Sequence, residues 1–193
     1  MIYDITAPQQ RKLNGEIRLP ASKSISNRAL IMHALSHSDH PIANIAHCDD
    51  TDVMVKALSS SDSAIDIGAA GTSMRFLTAY LANTPGDWTI TGSERMKQRP
   101  ISILVEALKN LGAQIDYTEK EGFPPLRIKG QPLQGGSIHL DGSVSSQYIS
   151  ALLMVAPTMA NGLTLTLDGK IISRPYIRMT LSMMEEFGIK AEW

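Results

Sequence analysis

Residues 71–111 read GTSMRFLTAYLANTPGDWTITGSERMKQRPISILVEALKNL, and residues 145–187 read SSQYISALLMVAPTMANGLTLTLDGKIISRPYIRMTLSMMEEF. Both stretches begin with small or hydroxyl-bearing residues and continue with apolar residues at helical spacing. Each then passes through a short strand pattern and ends in a second amphipathic helix that starts at an Arg-Pro pair. A plan that recurs in this way predicts a supersecondary unit used more than once, and therefore an α/β architecture built by repetition.

The spacing of the two copies supports this prediction. Thr72 lies 28 residues before Pro100, and Ser146 lies 29 residues before Pro175. Proline suits the first position of a helix, where its missing N–H has no intrahelical partner. A first copy, shorter and less regular, begins near Ser24. Helices are predicted to begin at Ser24, Gly71 and Ser145, and further helices are predicted over residues 53–58, 100–111 and 175–187. Two strands are predicted within residues 2–19, the second of them over residues 16–19. The other predicted strands are 88–91, 114–118, 126–129, 137–140 and 163–167.

The composition is that of a soluble globular protein. The chain has 193 residues, of which 43% are hydrophobic and 5% aromatic, and 18 Lys and Arg against 19 Asp and Glu give a formal net charge of -1. This balance gives no overall attraction to nucleic acid or to an anionic membrane, so an anionic ligand has to be met by a local basic cluster. Cys48 stands alone and excludes an internal disulfide. No apolar run is long enough to span a bilayer, and a cytoplasmic location is expected.

The starts of the three predicted inner helices form a candidate anion site. Small residues lie at each start, and basic residues lie close by, with Lys23 and Arg28 in the first helix and Arg75 in the second. If the copies surround a common axis, free backbone N–H groups and positive helix-dipole ends converge and suit a phosphate. The alternative is that the hydroxyl residues only cap helices and the arginines only solvate a surface.

Two further segments offer groups that recognise anions. A loop with Arg95, Lys97 and Arg99 precedes the helix predicted over residues 100–111 and can clamp a carboxylate or phosphate, although a solvated charge run is favoured for Arg95 and Lys97. Residues 141–147, DGSVSSQ, offer hydroxyls and an amide to phosphate or sugar-like hydroxyls, or else form a turn and a helix cap. The histidines lack the paired ligand spacing of a zinc site, and neither a Walker loop nor a GxGxxG motif follows a strand.

Five strings of sequence carry a resemblance to a known family. They are LPASKSISNRAL (19–30), GAAGTSMRF (68–76), ERMKQRP (94–100), DGSVSSQYISALLM (141–154) and ISRPYI (172–177). In this order, and over nearly the whole chain, they resemble the 5-enolpyruvylshikimate-3-phosphate synthase family. The resemblance implies a fold of two similar domains, each built from three repeated β-α-β-α-β-β units of the enolpyruvyl transferase fold, with helix starts facing an interdomain cleft.

By this resemblance the chain is one domain of two, and an incomplete one. Residues 1–20 are expected to be strands leading from the other domain, and residues 21–193 to be the shikimate-3-phosphate-binding domain, truncated before its last unit is complete. Family members are a little over twice as long, so the carboxylates proposed for proton transfer are expected to lie outside this sequence. We therefore expect no turnover by these residues alone, and exposed apolar surface or strand edges in the last unit.

The resemblance also implies an activity and a set of site residues. The activity is transfer of the enolpyruvyl group of phosphoenolpyruvate to the 5-hydroxyl of shikimate 3-phosphate, with release of phosphate, in aromatic amino-acid biosynthesis. The reaction proceeds by addition and elimination through a tetrahedral intermediate, without a metal or organic cofactor, and full-length members are usually monomeric. Lys23 matches the catalytic lysine that touches both substrates. Residues that match the shikimate 3-phosphate site are Ser24, Arg28, Ser145, Ser146, Gln147, Ser173 and Tyr176, and those on the phosphoenolpyruvate side are Gly71, Arg99 and Gln147.

Three departures from the family pattern affect this site. Ala69 stands where many members have Asn, and Phe76 stands where many have Pro. These two changes put the loop geometry at Gly71 and sensitivity to glyphosate in question. The segment between Leu58 and Gly68 is also short, which trims the strand joining the first two units.

Two other functions compete with this interpretation. The related UDP-N-acetylglucosamine enolpyruvyl transferases share fold and chemistry, but they carry Asn after the catalytic lysine, where this chain has Ser24, and usually a loop Cys, which is missing near Arg99. The second is a non-catalytic phosphate-binding half-domain that needs a second chain or the missing C-terminal half. Activity that depends on adding that half would separate an enzyme from a binding module.

Overall fold

The computed structural model describes residues 3, 4, 6, 9 and 14–192. Most of the predicted elements are present, with ends shifted by a residue or two, except that the helix predicted over residues 53–58 begins four residues earlier, at Asp49. The helices are α1 Lys23–Ser36, α2 Asp49–Ser59, α3 Gly71–Ala82, α4 Ser102–Asn110, α5 Ser146–Val155 and α6 Arg174–Glu186, and the strands are β1 Ala64–Asp66, β2 Gly86–Thr91, β3 Gln114–Tyr117, β4 Leu126–Gly130, β5 Gly136–Asp141 and β6 Leu163–Asp168. Short 3-10 turns at Met96–Gln98 and Ala156–Thr158 complete the set.

The second copy is a complete β-α-β-α-β-β unit, which confirms the predicted repetition. Its elements run β1, α3, β2, α4, β3 and β4, and its sheet has the order β1-β2-β4-β3. β1 and β2 are parallel because α3 crosses between them, while β4 is antiparallel to both β2 and β3. β1 has only three residues, in agreement with the short segment that precedes it.

The third copy repeats the first four of these elements. β5 and β6 are parallel and are joined across α5, and α6 follows β6. The same kind of turn leads into α3 and into α5. Asp66 Oδ1 accepts from Gly68 N at 2.8 Å, and Asp141 Oδ1 accepts from Ser143 N at 2.7 Å. Within the described residues β6 has a neighbour on one side only, so its other edge is unpaired, as expected for an incomplete last unit.

The core is formed around three inner helices, α1, α3 and α5. Every residue of α3 except the half-buried Tyr80 is buried, and α5 is buried almost as completely. A helix that is buried all round cannot leave its polar side chains to water, so each needs a partner inside the protein. Thr78 Oγ1, for example, donates to the carbonyl of Met74 at 2.7 Å. Polar side chains that find such a partner are therefore held in place within these helices.

The predicted strand over residues 16–19 is not formed. Residues 14–22 contain no strand, and Ile17 and Leu19 are each 84% exposed. A strand needs a hydrogen-bonding neighbour, and within the described part of the chain none lies beside this segment. The strand and turn predicted before it fall largely on residues outside the described ones, and the assignment of residues 1–20 to another domain stays a prediction.

The first copy and one helix start also differ from expectation. Residues 37–48 connect α1 to α2 without a strand, so the first copy lacks the strand of the repeated plan. Pro100 is not the first residue of α4, which begins two residues later at Ser102. The reason is that Ile101 has non-helical angles (φ -138°, ψ 1°) and its N–H donates to the Gly122 carbonyl at 2.9 Å. In α6, by contrast, Pro175 is the second helical residue, close to its predicted place.

A large apolar cavity adjoins β6. Its volume is about 720 Å³, and it is lined by α5, β6, α6 and the residues that follow α6, with Leu165, Ile177 and Leu181 among them. It lies away from the starts of α1 and α3, so we do not assign the anion site to it. In the described residues, none of the helices combines the length and apolar character that crossing a membrane requires.

Candidate anion-binding site at the helix starts

The starts of α1, α3 and α5 lie together. Gln147 Nε2, in the first turn of α5, donates to Thr72 Oγ1, in the first turn of α3, at 3.2 Å. Asp50 of α2 connects α3 to α1, because its carboxylate accepts from the Thr72 N–H and from Lys23 Nζ, both at 3.3 Å. The contacts thus run without a break from Lys23 through Asp50 and Thr72 to Gln147. Helix starts brought together in this way present backbone N–H groups and positive dipole ends to one region.

Asp50 is a member of this site that sequence reasoning missed. The sequence assigned it only to opening α2, in whose first turn it does lie. It also replaces a missing cap, because the residue before α3 is Ala70, which has no side-chain oxygen to offer the first N–H groups of that helix. The backbone carbonyl of Asp50 accepts from Ser73 Oγ at 2.7 Å and strengthens the same connection. An alanine at a helix start beside an anion site is the signal that could have indicated such a partner.

Lys23 is the most accessible cation of the three starts. Its side chain is 49% exposed, while the Asp50 carboxylate to which it is paired is 18% exposed. An ion pair with one exposed partner contributes about 0–1 kcal/mol, so it does not prevent the ammonium group from moving toward a ligand. Lys23 is therefore held near the other helix starts and is still free to contact a bound anion.

Gly71 leaves space for two guanidinium groups. A Cβ atom at this position would overlap Arg99 Nη1 and would lie 2.8 Å from Arg75 Nη1. The Gly71 carbonyl accepts from Arg75 Nη1 at 2.8 Å, and the Arg75 guanidinium lies 5.9 Å from the ring centre of Tyr148. Glycine at the start of α3 is thus needed for the close approach of Arg99, rather than for an unusual backbone conformation.

Arg75 and Arg99 together form an unbalanced positive region. Burial lowers the pKa of Arg75, and the neighbouring charge of Arg99 lowers it further, with Tyr148 and Asp50 offsetting part of the effect. Arg75 Nε is buried and has no hydrogen-bond partner among the described residues. Within residues 14–192, no carboxylate lies at salt-bridge distance from either guanidinium. A bound anion would remove the repulsion, so this region favours a phosphate or carboxylate.

A pocket borders Arg99 on its open side. It has a volume of about 400 Å³ and is lined by Ala69, Ser93, Arg95, Met96 and Arg99. The third cation of this loop behaves differently, since Lys97 Nζ lies 2.9 Å from Glu119 and 3.4 Å from Glu94. Hydrogen bonding to Glu119 raises the pKa of Lys97. Lys97 is therefore paired with two carboxylates rather than simply solvated, which differs from the charge run expected, and Arg99 is the cation of this loop that reaches Gly71.

Arg28 lies inside the protein, one helical turn below Ser24. Its residue is 2% exposed, and Nη1 donates to the Ser24 carbonyl at 2.8 Å. The guanidinium lies over two aromatic rings, 5.3 Å from the centre of Phe76 and 6.0 Å from that of Tyr176. Burial lowers the pKa of Arg28 to about 10, and Tyr176 acts in the opposite direction. Burial of the Arg28 charge therefore reduces the stability of the folded protein, and no described carboxylate lies at salt-bridge distance to offset this cost.

The remaining predicted residues lie at the starts of α5 and α6. Ser145 caps α5, its Oγ accepting from the Gln147 N–H at 3.3 Å, and Ser146 is buried beside it. Ser173 precedes α6 but makes no side-chain cap hydrogen bond, and Tyr176 is 47% exposed in the first turn. The structure thus brings Lys23, Gln147 and Gly71 into one cluster. Ser24, Arg28 and Tyr176 form an adjoining one.

The comparisons with known proteins agree with one another. The sequence profile of the family described as "EPSP synthase (3-phosphoshikimate 1-carboxyvinyltransferase)" matches residues 7–60 and 56–193. A 3-phosphoshikimate 1-carboxyvinyltransferase of Bacteroides fragilis (strain YCH46) is 62% identical over 193 residues, which are 100% of this chain and 47% of the relative. One of Vibrio cholerae serotype O1 (strain M66-2) is 42% identical over 204 residues, covering 92% of this chain and 48% of the relative. The chain therefore spans about half the length of the curated relatives it matches.

Solved structures show the same fold. An EPSP synthase from Acinetobacter baumannii, solved at 2.37 Å, superposes with a TM-score of 0.76 at 23% sequence identity, covering 93% of this chain and 45% of that one. A second structure of EPSP synthase from the same organism gives a TM-score of 0.77 at 24% identity. At this level of identity the likeness shows the fold alone. It confirms an α/β architecture in which the chain corresponds to less than half of the solved proteins.

Proposed function

The chain belongs to the EPSP synthase family, and on that premise we propose that it carries the shikimate 3-phosphate half-site of an enolpyruvyl transferase. The observation that carries the proposal is the continuous contact from Lys23 through Asp50 and Thr72 to Gln147, beside guanidinium groups that no carboxylate in the described residues neutralises. Backbone N–H groups, an ammonium and a guanidinium suit a dianionic phosphate together with a carboxylate.

The proposed reaction transfers the carboxyvinyl group of phosphoenolpyruvate to the 5-hydroxyl of shikimate 3-phosphate. The 5-hydroxyl loses its proton to a base as its oxygen adds to the enol carbon, an acid adds a proton to the methylene carbon, and a tetrahedral intermediate forms with no net change in protons. Loss of a methyl proton and of phosphate from this intermediate regenerates the double bond. Negative charge is present on both substrates throughout, so fixed cations stabilise binding and the intermediate together.

Each predicted residue has a role in this proposal. Lys23 takes the role of the catalytic lysine that the resemblance implies, and its exposed ammonium group beside Asp50 supports this assignment. Ser24, Arg28, Ser145, Ser146, Gln147, Ser173 and Tyr176 bind shikimate 3-phosphate, and Gly71, Arg99 and Gln147 serve the phosphoenolpyruvate side. The proposal requires no cofactor and no macromolecular partner, and it includes a cytoplasmic location and a monomeric full-length protein.

Binding of shikimate 3-phosphate tests this proposal without turnover. We expect isothermal titration of the chain to show saturable binding. The double variant Lys23→Ala, Arg28→Ala is expected to weaken it at least about a hundredfold, because each charged hydrogen bond contributes about 1.5–3 kcal/mol. A matched control, Arg127→Ala with Lys129→Ala, removes two exposed cations from β4 and is expected to leave the affinity unchanged. Equal losses in both double variants would indicate a nonspecific charge effect and would contradict the proposal.

A non-catalytic anion-binding module is a second candidate. The observation that favours it is that Asp50, the carboxylate in contact with these helix starts, is already bound to Lys23 and to the Thr72 N–H, so it is not free for proton transfer. Both candidates bind shikimate 3-phosphate, and they differ in turnover. A binding module would give none under any condition, whereas half of an enzyme would give turnover once the other half is supplied.

A further inference from the structure

Two buried hydroxyl groups accept hydrogen bonds from the Arg28 guanidinium. Thr180 Oγ1, in α6, accepts from Arg28 Nε at 2.7 Å, and Ser150 Oγ, in α5, accepts from Arg28 Nη2 at 2.9 Å. Both residues are completely buried. The two hydroxyl oxygens lie 2.8 Å apart, so they also bond to each other. A guanidinium on α1 is thus joined to side chains from two other helices.

The direction of every hydrogen bond in this group can be assigned. Thr180 Oγ1 donates its single proton to the Tyr176 carbonyl at 2.9 Å, so its two lone pairs are free to accept. One accepts from Arg28 Nε, and the other must accept from the Ser150 hydroxyl. Ser150 Oγ in turn accepts from Arg28 Nη2. The Thr180 hydroxyl therefore uses all three of its hydrogen-bonding positions, which leaves it one arrangement.

This arrangement fixes the orientation of a planar group. Two donors of the guanidinium, Nε and Nη2, are bound to the hydroxyl pair, and Nη1 is bound to the Ser24 carbonyl. The central carbon of the guanidinium also lies over the rings of Phe76 and Tyr176, at 5.3 and 6.0 Å from their centres. Since a guanidinium has five N–H groups, two remain, one on each terminal nitrogen. Their direction is set by the bonds already made.

We propose that Thr180 and Ser150 are positioning residues that hold the Arg28 guanidinium in its ligand-binding orientation and tie α6, with Ser173 and Tyr176, to α1. The inference rests on the proposed function, because it takes Arg28 to be a ligand of shikimate 3-phosphate. Neither hydroxyl is expected to touch the substrate. Each acts through Arg28 and through the position of α6.

The hydroxyl of Thr180 can be removed without changing the shape of its side chain. Thr180→Val leaves both the Arg28 Nε–H and the Ser150 hydroxyl without a buried partner, whereas Thr180→Ser keeps the hydroxyl and serves as the matched control. By NMR, the Arg28 Nε–H is expected to exchange with water slowly, and Arg28→Lys identifies its signal. Thr180→Val is expected to speed this exchange about tenfold or more, and Thr180→Ser to keep it slow. An unchanged rate in Thr180→Val, or no rescue in Thr180→Ser, would overturn the proposal.

Measured affinities for shikimate 3-phosphate distinguish a failure of this inference from a failure of the proposed function. Thr180→Val is expected to weaken shikimate 3-phosphate binding about tenfold to a hundredfold, and Thr180→Ser less than about threefold. Faster exchange without weaker binding would overturn the positioning role. If the unaltered chain does not bind shikimate 3-phosphate but the exchange results are as expected, the proposed function is contradicted. The orientation of Arg28 by Thr180 would then still be established. If Thr180→Val does not fold, Ser150→Ala is measured in the same way. This variant deletes the acceptor of Arg28 Nη2 and the donor to Thr180 but keeps the acceptor of Arg28 Nε, and an unchanged affinity for it would overturn the inference.

Discussion

Supplied with shikimate 3-phosphate and phosphoenolpyruvate, the chain alone is expected to release no phosphate above the uncatalysed background. Adding the part of the Bacteroides fragilis relative that the chain does not match is expected to raise the rate at least about a thousandfold. The reason is that proton transfer needs an acid or base within hydrogen-bond reach of the reacting carbon. In the described site the carboxylate nearest the helix starts is Asp50, and it is already bound to Lys23 and to the Thr72 N–H.

Two variants of the chain serve as controls for the mixture of the chain with the added part. Lys23→Ala in the chain is expected to abolish phosphate release by the mixture. Lys129→Ala, which removes an exposed cation of β4, is expected to leave the rate of phosphate release unchanged. Phosphate release by the chain alone at the rate of the mixture would contradict the account, because the described residues would then hold the whole catalytic apparatus. A mixture that forms a complex and binds both substrates without turnover would support the binding module instead.

Arg28→Met is expected to abolish detectable binding of shikimate 3-phosphate while the protein stays folded. Methionine preserves most of the apolar contact with Phe76 and Tyr176 but has no donor for a ligand. Burial lowers the pKa of Arg28 to about 10, so the guanidinium is still charged at neutral pH but its charge is less favourable in the folded protein than in the unfolded chain. Replacing a buried charge by an apolar side chain of similar size is often neutral for stability. The hydroxyls of Ser150 and Thr180 keep their bond to each other, so neither loses its donor role.

The measurements for this variant are a thermal melt and a titration. We expect the melting temperature to change by less than about 5 °C, which corresponds to roughly 1–2 kcal/mol for a chain of this size. Affinity is expected to fall at least about a hundredfold. Unchanged affinity would show that Arg28 serves only the core. Arg28→Ala is the informative contrast, since the cavity it leaves beside the two rings is expected to lower stability in addition.

The repeated unit was predictable because its signals are local. Apolar periodicity in residues 101–111 and in the helix after Pro175 sets the outer helices, and small residues at Gly71 and Ser145 mark the inner starts. Residues 16–19 show the limit of such signals. They alternate in the manner of a strand, but a strand forms only beside another, and sequence pattern alone does not supply the partner. The start of α4 was placed two residues early because a long-range bond from Ile101 to Gly122 overrides the local preference of Pro100.

The sequence singles out residues for the candidate site but does not show how they are connected. Lys23, Gly71, Arg99 and Gln147 stand out by type and position, and the resemblance supplied their roles. Asp50 was missed because its function is a contact across 22 residues to the Thr72 N–H, which no local pattern records. Thr180 was missed for the same reason, since a threonine inside an amphipathic helix gives no sign that it binds a guanidinium 152 residues away.

The most direct test of the account is NMR mapping of amide shifts as shikimate 3-phosphate is added to the chain. The account predicts saturable shifts concentrated at four helix starts, namely residues 23–26, 71–73, 145–147 and 173–176, with β3 and β4 unaffected. The variant Lys23→Ala, Arg28→Ala is expected to remove these shifts while its spectrum stays that of a folded protein. Saturable shifts centred elsewhere, such as on the apolar cavity beside β6, or no shifts in a folded chain, would contradict the claim that these helix starts form the phosphate half-site.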